Sequence, residues 1–151
     1  MQKNILSLDL GTTAIKVAVF DLNGKMLASS TQEYKLLTPD TLWVELPVET
    51  YWQAFKAGLS DVLQKSGVPG ESLSCMGISA QGETLILIDE AGAPLCNAIV
   101  WMDNRAQREA EELSGKFPPE VVYPVTGQVS IVPTWPASKL LWVKRNRPEI
   151  F

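Results

Sequence analysis

The chain has 151 residues, 46% of them hydrophobic, with 13 basic against 17 acidic side chains for a formal net charge of -4, and no histidine. A chain of this length buries on the order of two thirds of the surface its unfolded form exposes, so one globular domain with its own core is expected and disorder as the main state is excluded. The acidic balance argues against an electrostatic grip on nucleic acid, and the missing imidazoles exclude Ser-His-Asp and Cys-His nucleophiles, histidine metal ligands and histidine proton transfer.

At the start of the chain, Asp9 and Lys16 interrupt the apolar run after Lys3 before any cleavage-like site, which argues against a signal peptide. Ile5 to Leu10 and Ile15 to Phe20 read as strands on either side of Asp9-Leu10-Gly11-Thr12-Thr13. Asp21-Leu22-Asn23-Gly24 is a hairpin turn before a third strand over Lys25 to Glu33, so a β-meander is expected. Pro47 suits a first helical turn, and Val48, Trp52, Phe55, Leu59 and Val62 recur at steps of four, three, four and three. That stripe predicts an amphipathic helix ending at Ser66-Gly67.

Ser72 to Ser79 is an apolar run of strand length, and Glu83 to Ile88 and Leu95 to Trp101 flank Asp89-Glu90-Ala91-Gly92-Ala93 as a second hairpin. Asp103 suits the N-cap of a helix through Leu113, with Ala106, Ala110 and Leu113 inward, Glu109, Glu111 and Glu112 on a solvated face, and Gly115 as the stop. Pro118-Pro119 punctuates. Thr134 to Asn146 forms a last helix with Pro136 near its first turn and Pro148 beyond it, and Lys139, Lys144, Arg145 and Arg147 read as cations favoured near a helix C-terminus. This order gives an α/β or α+β layered fold with no linker dividing the chain. Cys75 and Cys96 read as free, buried thiols of a reducing compartment, and no apolar stretch approaches the ~20 residues that span a bilayer; a soluble cytoplasmic protein without membrane or nucleic-acid partners is expected.

Three segments carry chemistry. No GxxxxGK[ST] or GxGxxG loop is present, but Asp9-Leu10-Gly11-Thr12-Thr13 sets a carboxylate at a strand end before a glycine and two hydroxyls, a device that suits phosphate with magnesium, and Lys16 adds a point charge. The same residues also suit a plain tight turn with a capping Asp. Gly77-Ile78-Ser79-Ala80-Gln81-Gly82-Glu83-Thr84 runs from a strand into a polar loop, where Gln81 and Glu83 offer an amide and a carboxylate to a hydroxyl-rich ligand and Gly82 admits it to the backbone; a polar turn is the other reading. In Asn97-Ala98-Ile99-Val100-Trp101-Met102-Asp103-Asn104-Arg105, Trp101 ends an apolar strand and suits either stacking on a sugar or a place in the core.

In this order and at these intervals, the three segments resemble the N-terminal domain of the FGGY carbohydrate kinases, a family that includes glycerol kinase and xylulokinase. The resemblance covers essentially the whole chain, including Thr126-Gly127 and Ser138-Lys139-Leu140-Leu141-Trp142. It implies a ribonuclease-H-like, actin-like fold with a mixed sheet and flanking helices, and ATP-dependent phosphorylation of a sugar or polyol hydroxyl. By position it implies that Asp9 is the catalytic carboxylate associated with Mg2+ and the ATP phosphates, and that Gly11, Thr12, Thr13 and Lys16 surround the phosphates. It likewise implies that Gln81, Gly82, Glu83, Thr84, Trp101 and Asp103 hold the substrate.

Lys16 and Gly82 stand where glycerol kinase has Arg, xylulokinases have a Met-His pair around Gly82, and Thr134 stands where glycerol kinase has Tyr, so the particular sugar is left open. Family members are several times this length. Residues 1–151 are therefore expected to form the sugar-binding N-terminal domain, without the C-terminal nucleotide-binding domain and its general base, to lack activity alone, and to be compatible with a homodimer at full length. The rival from another class is an actin-like phosphate-binding or assembly module, for which Glu83 and Trp101 have no purpose. A ribonuclease-H-like nuclease needs clustered carboxylates for two metals, and the strand over Ser72 to Ser79 ends on no acid.

Overall fold

The computed structural model describes residues 3–151. In chain order the elements are β1 (Asn4–Leu10), β2 (Ala14–Asp21), β3 (Met26–Glu33), β4 (Glu45–Leu46), α1 (Val48–Ser66), β5 (Leu73–Ala80), β6 (Ala98–Ile99), α2 (Gln107–Lys116), α3 (Pro119–Thr126) and α4 (Pro136–Asn146). They form two compact units, one holding the chain up to Lys35 and Pro47–Gln81, the other Leu36–Leu46 and Gly82–Phe151. Nothing in the linker content of the sequence had indicated this division. No helix among the described residues is long and apolar enough to cross a membrane.

The first unit is a mixed sheet in the order β3-β2-β1-β5, with the meander antiparallel and β5 parallel to β1. Period-two alternation sends Leu6 and Leu8 of β1 and Ile15, Val17 and Val19 of β2 into the core, and α1 packs on β2 and β3. The helix is closed by Gly67 in the left-handed region at φ 66°, its N–H donating to the Leu63 carbonyl at 3.0 Å. Its extent matches the sequence reading, and so does its inner face apart from Trp52. Tyr51, Gly58 and Val62 are buried, whereas Trp52 is exposed and packs on Phe55 at 5.4 Å between ring centroids. The helix approaches the sheet closely there: a Cβ on Gly58 would lie 2.7 Å from Val17 Cγ2, so the smallest residue faces the sheet, while Val48, Phe55 and Leu59 of the stripe are half-buried.

β5 has a partner on one side within this sheet, and Cys75, Met76 and Ile78 are exposed. Cys75 is thus no buried thiol, and Cys96 is only partly covered, enough for burial to raise its thiol above the ordinary range.

In the second unit β4 and β6 pair antiparallel over two residues each. The expected second hairpin is irregular: isolated bridges join Leu85 to Ile99 and Ile88 to Pro94, with the turn closed by Gly92 N–H donating to the Asp89 carbonyl at 3.0 Å. Helix α2 starts at Gln107 with Ala106 as its N-cap, because the Asp103 carboxylate is engaged elsewhere, and Gly115 lies inside it. Ala106 and Ala110 are buried as expected. The acids of α2 are not merely solvated: Glu109 is buried and pairs with Arg145 at 3.4 Å, and Glu112 pairs with Arg145 at 2.6 Å and Lys116 at 2.7 Å. Pro118-Pro119 opens α3, a helix the sequence reading lacks; Pro119 sits where no N–H is required, and Gly127 at φ 72° closes the helix.

Substituting Gly58→Ala tests the seam between α1 and the sheet. Overpacking against a fully buried, β-branched Val17 costs about 1–3 kcal/mol, partly offset by up to about 1 kcal/mol of helix propensity. A net loss of stability is expected in thermal melts, with the secondary-structure content unchanged.

Candidate functional site

The turn that follows Asp9 lies wholly in the first unit. Asp9 faces Lys16 across the antiparallel ladder and Ser79 across the parallel one, which places the three side chains on one face of the sheet, opposite the face that buries Leu8 and Val17. Asp9 and Lys16 are both exposed. The turn after Asp9 is tight, with Gly11 N–H donating to the Ala14 carbonyl at 3.0 Å; a Cβ on Gly11 would come within 2.8 Å of that oxygen, so only glycine fits.

Tyr34, which the sequence reading did not single out, pins the turn from just beyond the end of β3. Its hydroxyl donates to the Gly11 carbonyl and its N–H donates to the Thr13 carbonyl at 3.0 Å. The resulting concavity, of about 460 Å³, is lined by Thr13, Glu33, Tyr34 and Lys35. Burial, and then the neighbouring Tyr51 and Asp9, push the Tyr34 phenol up to about 12. Tyr51 packs edge-on against Tyr34 at 5.5 Å and accepts a 2.8 Å hydrogen bond from Gln81 Nε2. Gln81 is anchored by its N–H to the Leu10 carbonyl at 2.9 Å, and its Oε1 is buried without a hydrogen-bond partner among the described residues.

The second unit carries the other candidate residues. Thr84 N–H donates to the Gly82 carbonyl at 2.9 Å, closing a three-residue turn around Glu83, whose φ is 62°. Left-handed backbone is costly for a residue with a Cβ, and such turns are rare and strained. Gly82, the residue expected to supply freedom, has a negative-φ backbone and open space around it. The Glu83 side chain is exposed, as is Trp101. Thr84 Oγ1 accepts from Trp101 N–H at 3.0 Å, so its hydroxyl ties the glutamate turn to the Trp101 backbone.

Asp103 is fully buried. Its carboxylate accepts from Val44 N–H at 2.6 Å, from Arg105 N–H at 3.0 Å and from Arg105 Nε and Nη2 at 2.9 and 2.8 Å. Arg105 Nη2 also meets Glu45 at 2.7 Å, and its guanidinium lies over the rings of Trp43 and Trp142 at 4.1 and 5.0 Å. Lys139, read from sequence as a cation favoured near a helix C-terminus, is instead fully buried in the first turn of α4. The available sequence signal was helical periodicity: Lys139 shares a face with Trp135, Trp142 and Val143, which are four behind, three ahead and four ahead of it. The structure thus gathers Asp9, Gly11, Thr12, Thr13, Lys16 and Gln81 in the first unit, and Gly82, Glu83, Thr84, Trp101 and Asp103 in the second.

Over residues 4–151 the chain matches the N-terminal domain of the FGGY family of carbohydrate kinases. It belongs to that family. Glycerol kinase from Malacoplasma penetrans is 33% identical over 98% of this chain and 29% of its own length. Ligand-bound xylulose kinase from Lactobacillus acidophilus aligns with a TM-score of 0.88 and 30% identity over 99% of this chain and 30% of that one. Plasmodium falciparum glycerol kinase with ADP gives 0.87 and 29% over 99% and 30%. The chain spans about 30% of the length of the relatives it matches. Its mixed sheet, meander and flanking helices are the actin-like fold of the FGGY kinases, as the motifs implied.

The phenol of Tyr34 offers a test of the turn in this FGGY chain. Because its folded value lies above the ordinary 10.0, its contribution to stability is complete below that pH and is lost as the pH rises towards 12. Ultraviolet titration of the phenolates is expected to show one tyrosine ionising near the upper value, and Tyr34→Phe to abolish that step.

Proposed function

We propose that this chain supplies the substrate-holding and phosphate-holding residues of an ATP-dependent kinase that phosphorylates a hydroxyl of a sugar or polyol. The observation that carries this reading is the strained turn at Glu83: a carboxylate held at a costly φ, exposed, and tied through Thr84 to the exposed indole of Trp101. A carboxylate accepts hydrogen bonds from adjacent hydroxyls while an indole covers the carbon face of the same ligand, and the related proteins include glycerol and xylulose kinases. Asp103, with its oxygens bonded within the protein, supports the loop.

Asp9, Thr12, Thr13 and Lys16 hold the phosphates and magnesium of the nucleotide. No cluster of three or more acidic, Cys or His side chains that could hold a metal occurs among the described residues, so the lone carboxylate of Asp9 fits a cation that arrives with phosphate and water ligands of its own. Bound there, magnesium supplies charge neutralisation for the transferring phosphoryl group. The nuclease alternative requires clustered acids, and the neighbour of Asp9 on β5 is Ser79. A cytoplasmic location fits the two free cysteines and the use of ATP.

The test is titration of isotope-labelled chain with glycerol and with D-xylulose. Shifts of the Glu83 and Thr84 amides and the Trp101 indole are expected with at least one of them, and Glu83→Ala is expected to weaken that binding at least tenfold, since hydrogen bonds to a charged acceptor contribute roughly 1.5–3 kcal/mol. Glu83→Gly relieves the left-handed strain, so it is expected to raise the melting temperature while binding is lost. A Glu83→Ala chain that binds as tightly as the parent removes the substrate role.

A further inference from the structure

The side chain of Lys139 is fully enclosed, yet it ends in an ammonium group. Its Nζ donates to the carbonyls of Val100 at 2.9 Å, Glu83 at 3.1 Å and Trp101 at 3.3 Å. Three donors meet three backbone acceptors, which is the full capacity of an ammonium. Two of those carbonyls belong to the residues whose side chains are exposed for the ligand. The third belongs to the residue before Trp101 and already accepts from Asp103 N–H at 2.9 Å. Enclosing an ammonium is costly even with such partners, and a hydrocarbon side chain of similar length fills the same volume without that cost. The placement of the charge under two loops therefore needs a reason beyond packing.

We propose that Lys139 is a positioning residue of the substrate site, its ammonium holding the Glu83 turn and the Trp101 backbone in the arrangement that presents both side chains to the sugar or polyol. This inference rests on the functional reading above. A γ-turn with φ at 62° does not persist by local preference, and the hydrogen bond to the Glu83 carbonyl is a tertiary restraint on it. The charged groups facing Nζ are Asp103 and Glu83, which favour the ammonium, and Arg105, which opposes it. Burial outweighs them and brings the group down to about 8. Above that pH the neutral amine has two N–H donors for three carbonyls, so at least one loop loses its tie.

This gives a signature that a merely structural lysine would not produce. The folded value lies below the ordinary 10.5, so protonation disfavours the fold, and the lysine's contribution to stability improves as pH rises from about 8 towards 10.5. Ligand affinity is expected to move the opposite way.

The experiment measures binding of glycerol and D-xylulose to the 151-residue chain from pH 7 to pH 9, alongside thermal melts and the carbonyl chemical shifts of Glu83, Val100 and Trp101. If the protonated form alone is competent, affinity falls about tenfold over this range, in proportion to the protonated fraction. The three carbonyl shifts are expected to titrate together at the same midpoint. Lys139→Met is expected to weaken binding at pH 7 about tenfold and to flatten both profiles; should it not fold, the titration of the parent chain decides alone. Affinity that is level across the range, or that falls only in step with the melting temperature, overturns the positioning role while leaving the substrate reading intact. Failure of the parent chain to bind either compound at pH 7 overturns the substrate reading, and the positioning role with it.

Discussion

The guanidinium of Arg105 is the constraint on which the second unit depends. It is buried, and it keeps its charge because Asp103 and Glu45 supply carboxylate oxygens at 2.7–3.1 Å while Trp43 and Trp142 lie against its faces. Those partners come from the segment before α1, from the loop after β6 and from α4, so one side chain gathers three stretches that otherwise share little regular structure. β4 and β6 contribute two residues each, too few to hold the unit by ladder hydrogen bonds. Removing either carboxylate would leave part of an enclosed cation uncompensated, a more damaging change than loss of an exposed pair. The loop that carries Trp101 is thereby fixed from behind by Asp103, and α4 is held by Trp142 so that Lys139, one turn earlier, reaches the backbone of Glu83 and Trp101.

The candidate turns of the two units solve opposite backbone problems. At Gly11 the chain comes so near its own Ala14 carbonyl that any side chain is excluded, and the turn is then fixed from outside by Tyr34. At Glu83 the chain takes a conformation that favours glycine, yet a carboxylate stands there, with glycine one position earlier in ordinary backbone. The restraints from Thr84 and Lys139 hold the Glu83 turn in that costly conformation.

Much of this was legible in the amino acids. Alternation and an Asn-Gly turn define the meander, and α1 has the extent its periodicity and Gly67 dictate. The candidate segments stand out in the sequence because glycine, hydroxyl and carboxylate types cluster at strand ends. What was not legible depends on distant partners. The burial of Gly58 on α1 follows from how closely it meets Val17, which a stripe of large residues does not signal. Asp103 looks like a cap until Arg105 and Val44 claim its oxygens. Glu109 and Arg145, 36 positions apart, look solvated until α2 and α4 come together. A helix opening on two prolines and containing a third defeats propensity, although its first proline is well placed.

Because residues 36–46 belong with the chain beyond Gly82, the second unit is discontinuous in sequence, and this fixes an order of events during synthesis. The meander and α1 have all their mutual partners as soon as Ser66 has emerged from the ribosome, and β5 can then join β1. Trp43, Val44 and Glu45 have no such option, since Arg105 lies 60 residues after Glu45. At about 5–20 residues per second, roughly 3–12 s pass between the appearance of Glu45 and that of its cation. During that interval Trp43 and Leu46 lack the later residues that cover them in the finished unit.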